Sequence, residues 1–304
     1  MPSTAATTSA LKGRLGPVGV WLGALNSAPT TAAREAAAEV DELGYGSLWV
    51  SESPVTKDPF TASTLLLGAT GRLIVGTGIA NVWARDAVAT NAATMTIAEA
   101  YPGRFILGLG VSHQPIVNVR GHVYERPLAK MRSYLDELDA AAYEGPRPAE
   151  PAPRVLAALR PKMLELARDR ADGAHPYFVP TSHTARAREA LGPSPLLVPE
   201  QAVVVETDPD RARGIARAYM SMYLTLPNYV NNLRTLGFAD EDVEGGGSDR
   251  LVDAVVAWGD VEAIKARVDE HLAGGADHVL LQPLAPRDGL GLDQLRTLAP
   301  ALVS

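Results

Sequence analysis

The sequence contains no cysteine among its 304 residues, and this absence excludes several kinds of chemistry. Disulfide bridges, thiolate nucleophiles and zinc sites with cysteine ligands all need the missing residue type. Lysine is also scarce, and no lysine clearly ends an apolar, strand-like run; the lysines are Lys12, Lys57, Lys130, Lys162 and Lys265. A Schiff-base aldolase or isomerase needs a lysine at such a position, so the sequence disfavours that class.

The chain also lacks a basic stripe and a long apolar run. Its formal net charge is −7, which disfavours a nucleic-acid partner because a phosphate backbone requires clustered Lys and Arg. No stretch approaches the roughly 18 apolar residues of a membrane span. Residues 1–14 are rich in Ala, Thr and Ser without the basic start of a signal peptide. We therefore expect a flexible leader over 1–14, a cytoplasmic location and a protein that handles small molecules.

Metal-binding and hydrolase motifs are missing as well. The histidines form no HxxxH or HExxH pattern; they are His113, His122, His175, His183, His271 and His278. We therefore predict no metal site. The sequence has no GxSxG nucleophile elbow, and the Gly-x-Gly stretches at 76–78 and 108–110 do not complete GxGxxG.

Short apolar runs alternate with helical patterns along the rest of the chain, and 46% of all residues are hydrophobic. Strands that are apolar almost throughout are typical of a parallel sheet covered on both faces. Repeated strand–helix units predict a single (β/α)8 TIM barrel over residues 15–304, with an open doubly wound sheet as the alternative. The predicted strands are 18–23, 47–51, 73–79, 104–110, 154–159, 174–179, 202–207 and 277–284.

Two longer stretches interrupt this alternation. Residues 111–153 contain the proline-rich run EGPRPAEPAP, which predicts a surface connection because proline breaks helices. Residues 225–249 form an insertion that ends in the glycine-rich run EGGGS. Long connections in a barrel often carry function, so we expect the insertion at the C-terminal face, where it would shape the substrate mouth together with Trp83 and Tyr177.

Barrel enzymes carry their catalytic groups at the carboxyl ends of strands. Glu52 follows the second predicted strand and is a candidate acid, base or hydrogen-bond acceptor, or alternatively a solvated loop carboxylate. His113 follows the fourth strand and suits proton transfer near neutral pH, although a histidine packed in a loop is the alternative. Leu159 and Arg160 precede a helix start at Pro161, whose amides could receive an anion. Glycines at the strand ends could let a planar ring lie close to the backbone.

Four stretches resemble the luciferase-like monooxygenase superfamily, and most of all its branch that uses coenzyme F420, a 5-deazaflavin. They are 44–53 (GYGSLWVSES), 73–87 (LIVGTGIANVWARDA), 101–113 (YPGRFILGLGVSH) and 157–178 (AALRPKMLELARDRADGAHPYF). The resemblance covers roughly residues 15–283. It implies the same barrel and a role as an oxidoreductase.

The resemblance also implies residue roles around the second and third strands. Glu52 matches the carboxylate that contacts the deazaflavin, whereas Ser53 stands where the family often has a histidine proposed as an acid. A non-proline cis peptide that backs the ring would fall at Gly78-Ile79. Asn81 would reach the pyrimidine edge of the ring.

Further roles follow for the fourth and fifth strands. Val111 and Ser112 match residues that touch the cofactor. His113 occupies the place of a glutamate that accepts a proton in sugar-phosphate dehydrogenases of this branch. Leu159 and Arg160 match the turn that binds the cofactor's phosphate, where family members usually have glycine rather than Arg160.

These features together imply F420-dependent hydride transfer to or from a small organic substrate, with His113 and Glu52 as the catalytic residues. An FMN-dependent monooxygenase of the same superfamily is the alternative, and a non-catalytic flavin-binding relative is the third possibility. The scarcity of lysine disfavours a phosphorylated sugar. The Trp- and Tyr-bearing rim suits an apolar or aromatic substrate better. The resemblance also implies a homodimer.

Overall fold

The computed structural model of the protein describes the backbone of residues 5–285 and 289–303, and the side chains from Thr8 onwards. The strands are β1 Val18–Trp21, β2 Ser47–Val50, β3 Ile74–Thr77, β4 Ala80–Asn81, β5 Phe105–Gly110, β6 Arg154–Ala157, β7 Gly173–His175, β8 Leu196–Leu197, β9 Glu200–Val205, β10 Val256–Gly259 and β11 Val279–Pro283. The helices are α1 Ala5–Leu15, α2 Thr30–Glu42, α3 Pro59–Leu67, α4 Ala87–Ala100, α5 Gln114–Val119, α6 Pro127–Ala140, α7 Pro161–Arg170, α8 Thr181–Leu191, α9 Pro209–Tyr223, α10 Pro227–Thr235, α11 Asp240–Val243, α12 Asp249–Val255, α13 Val261–Ala273 and α14 Leu292–Leu302.

The strands are parallel and close into a barrel. Their order includes the path β11-β1-β2-β3-β5-β6-β7-β8, and β9 pairs with β11. β8 and β9 are separated only by residues 198–199, where the backbone bonds to both neighbours: the Val198 N–H donates to the Ala174 carbonyl, and the Asp277 N–H donates to the Leu197 carbonyl, each at 2.9 Å. The β8–β9 segment is therefore the strand that closes the ring, and the predicted TIM barrel is confirmed.

Alternating residues of the strands face two different apolar layers, although nearly all of them are buried. In β2, Trp49 belongs to the cluster inside the barrel, while Leu48 and Val50 belong to the cluster between strands and helices. The period-2 geometry of a strand produces this division. The inner cluster consists of Leu11, Leu15, Trp21, Trp49, Ile74, Ile106, Val155, Leu196, Val198 and Leu280.

The N-terminal segment differs from the flexible leader that the sequence predicts over 1–14. Residues Ala5–Leu15 form helix α1, and Leu11 and Leu15 join the inner cluster. Lys12 Nζ lies 2.9 Å from Asp277 Oδ1, next to the start of β11. The prediction is wrong for this part because α1 covers the amino-terminal end of the barrel and buries apolar side chains there.

The insertion predicted over 225–249 carries α10 and α11, and its last residue begins α12. Its apolar residues, including Tyr229 and Leu233, pack with Phe178 and with Met220 of α9 in a separate cluster. β10 follows α12 and pairs with β9 outside the closed ring. The sequence did not indicate β10, because a four-residue apolar run directly before a helix is hard to distinguish from that helix.

Within the described residues, no helix combines the length and apolar character needed to cross a membrane. The same part of the chain holds no group of three or more His, Asp or Glu side chains placed to bind a metal ion.

Candidate functional site

The candidate residues lie at the carboxyl ends of neighbouring barrel strands. Glu52 follows β2, Asn81 ends β4, His113 follows β5 and Arg160 follows β6. Because the strands are parallel, their carboxyl ends meet on one side of the barrel. The residues predicted from separate stretches of sequence therefore share one rim.

Both carboxylate oxygens of Glu52 are engaged. Oε2 accepts a hydrogen bond of 2.8 Å from the Asn81 N–H, and Oε1 accepts one of 3.0 Å from Arg120 Nη2. Arg85 Nη1 lies 3.9 Å from Oε2, and the Glu52 side chain is only 5% exposed. Glu52 is therefore a buried, paired carboxylate, and the alternative of a solvated loop residue is wrong.

Opposing effects act on the charge of Glu52. Burial raises the pKa of its carboxyl above the ordinary value, while the Asn81 amide and the guanidinium groups of Arg85 and Arg120 oppose that rise. Arg85 also pairs with Asp58, the residue that caps α3. The carboxylate thus ties the end of β4 to the end of α5, which gives it a positioning role in the loops of the rim.

The peptide bond between Gly78 and Ile79 is cis, as the resemblance predicts. The Trp21 Nε1–H donates to the Gly78 carbonyl at 2.9 Å, so the indole fixes this backbone from the β1 side. A Cβ on Gly78 would lie 2.7 Å from Trp21 Nε1, and one on Gly76 would lie 2.6 Å from the Trp49 ring. The sequence led us to expect that a planar cofactor ring lies beside these glycines. In the structure, Trp21 and Trp49 occupy that space.

Asn81 uses its side chain to shape the next turn. Its Oδ1 accepts a hydrogen bond of 3.0 Å from the Trp83 N–H. The Trp83 ring packs 6.2 Å from the Tyr124 ring, and Lys130 Nζ lies 5.2 Å from the indole. The buried Trp83 Nε1–H has no hydrogen-bond partner among the described residues.

His113 is half-buried and is held by the insertion. Its Nδ1 lies 3.0 Å from Asn228 Oδ1, and its ring packs 5.2 Å from the ring of Tyr229, both on α10. An amide oxygen can only accept, so Nδ1 carries the proton and Nε2 of the neutral ring is an acceptor. Burial lowers the pKa of His113, and the hydrogen bond that the imidazole donates to Asn228 partly opposes this effect. The imidazole is therefore a neutral base with a fixed tautomer.

The turn that places His113 has unusual backbone geometry. Ser112 has φ of 58°, in the left-handed region that few residues other than glycine adopt. His113 follows as the N-cap of α5, and Val111 packs against the main core. The left-handed turn redirects the chain at the rim, so that α5 starts directly after β5.

α5 connects the two candidate catalytic residues. His113 precedes its first residue, and Arg120, which pairs with Glu52, follows its last. Within the described residues, no hydrogen bond or ion pair joins His113 directly to Glu52. The two groups belong to one rim but have separate surroundings.

Leu159 and Arg160 form the turn before α7. The Leu159 carbonyl lies 2.6 Å from His183 Nε2, while the Arg160 side chain is exposed. No side chain caps the first turn of α7. The guanidinium of Arg160 forms no ion pair with any residue in the described part of the chain. A positive side chain and an uncapped helix start therefore lie together at this corner of the rim.

The donors left free at the rim fit a ligand that carries carbonyl and phosphate oxygens, as a flavin or deazaflavin does. The Trp83 Nε1–H and the Arg120 Nε–H are both buried and lack partners among the described residues. A buried donor without a partner costs free energy, which a ligand acceptor would recover. The exposed guanidinium of Arg160 adds a positive charge for an anionic group.

Sequence reasoning missed several residues of this site. Arg85 and Arg120 pair with Glu52, while Asn228 and Tyr229 hold His113. Arg85 lies only a few residues after the third predicted strand, so its position beyond a strand end was an available signal. Arg120, Asn228 and Tyr229 gave no such signal, because their partners in the site are distant in sequence. Arg120 is 68 residues from Glu52. Tyr229 packs on His113 from within the insertion.

The sequence is similar to a known protein family and to reductases within it. A family model described as luciferase-like monooxygenase matches residues 15–278. A 5,10-methylenetetrahydromethanopterin reductase from Methanolobus tindarius is 26% identical over 288 residues, which cover 81% of this chain and 88% of the relative.

Solved structures show the same architecture. A coenzyme F420-dependent tetrahydromethanopterin reductase from Methanopyrus kandleri superposes with a TM-score of 0.77 at 16% identity, covering 94% of this chain and 99% of that one. An F420-dependent secondary alcohol dehydrogenase, solved with an F420–acetone adduct, has a TM-score of 0.75 at 16% identity, covering 94% and 98% of the two chains. At such low identity these likenesses establish the fold alone.

Proposed function

Because the chain belongs to the luciferase-like monooxygenase family and is an oxidoreductase, we propose that it transfers a hydride between coenzyme F420 and a small organic substrate. The observation that carries the proposal is the His113–Asn228 pair, which keeps a neutral imidazole with a free Nε2 at the catalytic rim. The names of the Methanopyrus kandleri reductase and the alcohol dehydrogenase support F420 as the cofactor.

Several residues would hold the cofactor in this proposal. Ile79, Val111 and Leu159 offer apolar contacts, and Ser112 and Asn81 add polar groups beside the ring. Arg160 and the uncapped start of α7 would receive the phosphate. Gly78 provides the backbone that Trp21 fixes. Glu52 would keep the Asn81 backbone and α5 in place around the ring.

A bound deazaflavin supplies two-electron hydride transfer and leaves one proton to be managed by the protein. Nε2 of His113 accepts the proton that an alcohol loses as its carbon gives up a hydride, and returns that proton in the reverse direction. The hydrogen bond from Nδ1–H to Asn228 makes Nε2 the nitrogen that takes up and returns this proton. Asn228 is therefore a positioning residue.

Titration of the purified protein with F420 and with FMN tests the cofactor assignment. We expect tighter binding of F420 than of FMN. The His113→Ala variant should retain the F420 affinity but lose about 10²-fold or more in turnover, measured from the visible absorbance of the deazaflavin during oxidation of alcohols.

Other outcomes would contradict the proposal. Tighter binding of FMN would support a flavin monooxygenase of the same family. Full turnover by His113→Ala would remove His113 from the mechanism. Binding of F420 without turnover across alcohols and ketones would indicate a non-catalytic relative.

A further inference from the structure

A cavity of about 550 Å³ opens at the same rim, but on the side of β1 and β11 rather than beside Glu52 and His113. Trp21 and Gln282 line it from these two strands, and Ile215 and Tyr219 line it from α9. Ile215 is 41% exposed, so the cavity communicates with solvent. A volume of this size accommodates a small organic molecule.

Trp21 connects this cavity to the cofactor-binding part of the rim. Its indole lines the cavity while its Nε1–H donates to the carbonyl of Gly78 at 2.9 Å. The Trp21 indole therefore lies between the cavity and the backbone that would support the ring. A molecule that reaches from the cavity to the ring would pass beside this indole.

The lining of the cavity carries no Lys, Arg, Asp or Glu among the described residues. Most of its residues are apolar, including Leu22, Leu284 and Leu290. A charged ligand would lose its hydration there without gaining an ionic partner. The described part of the lining therefore favours neutral molecules.

A network of tyrosines fixes the amide of Gln282. The Tyr177 hydroxyl donates to Gln282 Oε1 at 2.8 Å, and it receives a hydrogen bond of 3.2 Å from Tyr219. The Tyr223 hydroxyl lies 2.7 Å from that of Tyr177 and must also donate to it, since a hydroxyl has only one hydrogen. Oε1 is thus occupied, whereas Nε2 forms no hydrogen bond with any described residue. Gln282 presents one oriented donor to an otherwise apolar cavity.

We propose that this cavity holds the non-reacting end of the substrate, a neutral and mainly apolar group whose carbonyl or hydroxyl oxygen accepts a hydrogen bond from Gln282 Nε2, while the alcohol that reacts lies at His113. This assignment rests on the proposed oxidoreductase function. Gln282 is the residue that determines specificity, and Tyr177 is the residue that positions it. This part of the substrate site lies closer to β1, β11 and α9 than to Trp83, the rim residue that the sequence placed at the mouth.

Isothermal titration calorimetry with three probes of equal ring size tests this site. We expect the wild type to bind 2-acetylnaphthalene, which is neutral and has one carbonyl, and to bind the anionic 2-naphthoate at least about tenfold more weakly. Gln282→Leu should weaken binding of the ketone by about fivefold to tenfold. The same variant should leave binding of 2-ethylnaphthalene, which has no oxygen, nearly unchanged.

Ala218→Trp provides a second, independent variant, because Ala218 lines the cavity from the exposed side of α9. It should abolish binding of both neutral probes while retaining the F420 affinity of the wild type. Three results would overturn the proposal: wild-type affinity for the ketone in Ala218→Trp, wild-type affinity for the ketone in Gln282→Leu, or no binding of the ketone by the wild type.

Loss of F420 binding in Ala218→Trp would place the cofactor in the cavity and overturn the substrate assignment. Failure of the wild type to bind F420, with ketone binding intact, would overturn the hydride-transfer proposal instead.

Discussion

At the scale of single residues, His113 owes its chemistry to neighbours that are distant in sequence. Asn228 sets the tautomer, and burial lowers the pKa below the ordinary 6.5 of a histidine. The base form of His113 is therefore present at neutral pH. In the oxidative direction, activity should fall only when the pH drops through this lowered pKa, so the acid limb should have its midpoint below pH 6.5.

Two substitutions of Asn228 should move this acid limb in opposite directions. In Asn228→Ala the imidazole loses a bond that raises its pKa, so the limb shifts to lower pH and the plateau rate falls by about 10- to 100-fold. In Asn228→Asp a carboxylate favours the charged imidazole, so the limb shifts to higher pH. Profiles of kcat/KM against pH measure both shifts. A purely structural role for Asn228 would leave the midpoint unchanged in both variants.

Glu52 is the second residue whose role depends on its partners. Its two oxygens bind the Asn81 amide and the Arg120 guanidinium, and Arg85 lies close by. A carboxylate with these partners is well suited to hold loops and less available to accept a proton from a substrate. This arrangement favours a positioning role for Glu52 and leaves proton transfer to His113.

At the scale of elements, helix α1 packs against the amino-terminal end of the barrel. Leu11 and Leu15 pack inside its amino-terminal end, and the backbone of Leu15 lies directly against Gly46. Gly46 has no Cβ, and this absence allows the close approach. The helix is thus a part of the core rather than an appended leader.

Truncation of Leu15 should therefore be costly. Leu15→Ala leaves a cavity in a buried site, and we expect a loss of about 2–5 kcal/mol in the free energy of unfolding. Gly13→Ala is the matched control on the same helix, because a Cβ at this exposed position meets no atom within 4 Å. It should stabilise the protein by up to about 1 kcal/mol. Urea denaturation measures both; an unchanged midpoint for Leu15→Ala would contradict the role of α1 in the core.

At the scale of the whole molecule, burying titratable groups in the barrel and beneath its helices makes stability depend on pH. Burial lowers the pKa of His175 and His278 to about 4 and that of His271 to about 3. The unfolded chain binds protons at these residues below pH 6.5, while the folded protein does not, so stability is lost as the pH falls from 6.5. Burial raises the pKa of Glu200 to about 8. Its contribution has the opposite sign: stability is lost as the pH rises from 4.5 towards 8.

These signs predict a stability maximum near pH 6.5. A difference of one bound proton between the folded and unfolded states changes the free energy of unfolding by about 1.4 kcal/mol per pH unit. Between pH 4.5 and 6.5 the effect of the three histidines is therefore larger than the opposite effect of Glu200. Of these four groups, only Glu200 changes the stability between pH 6.5 and 8. Glu200→Gln keeps an acceptor for the Phe178 N–H but does not titrate. The variant should be more stable than the wild type at higher pH, and the difference in their free energies of unfolding should fall to zero near pH 4.5. Thermal or urea unfolding across this range measures the difference, and parallel curves for the two proteins would refute the assignment.

The sequence by itself determined the repeating strand–helix pattern and therefore the barrel. Apolar runs without charge fit strands that are covered on both faces, and the helix starts at Asp58-Pro59 and Asp86 are local signals. The parallel arrangement then required that Glu52, Asn81, His113 and Arg160 share one rim. The position of the cis peptide at Gly78-Ile79 also followed from the resemblance of the third strand.

Only the tertiary structure decided what surrounds these residues. The partners of Glu52 and His113 come from α5 and α10, and the donor of Gln282 is oriented by tyrosines of α9 and of the loop after β7. The same is true of α1, whose Ala- and Thr-rich sequence has no strong helical signal and whose burial depends on the barrel above it. Periodicity reports which face of an element is buried, but contacts between residues far apart in sequence depend on how the elements pack. That packing sets the direction of the pKa shift of His113, the pairing of Glu52 and the apolar character of the described cavity lining.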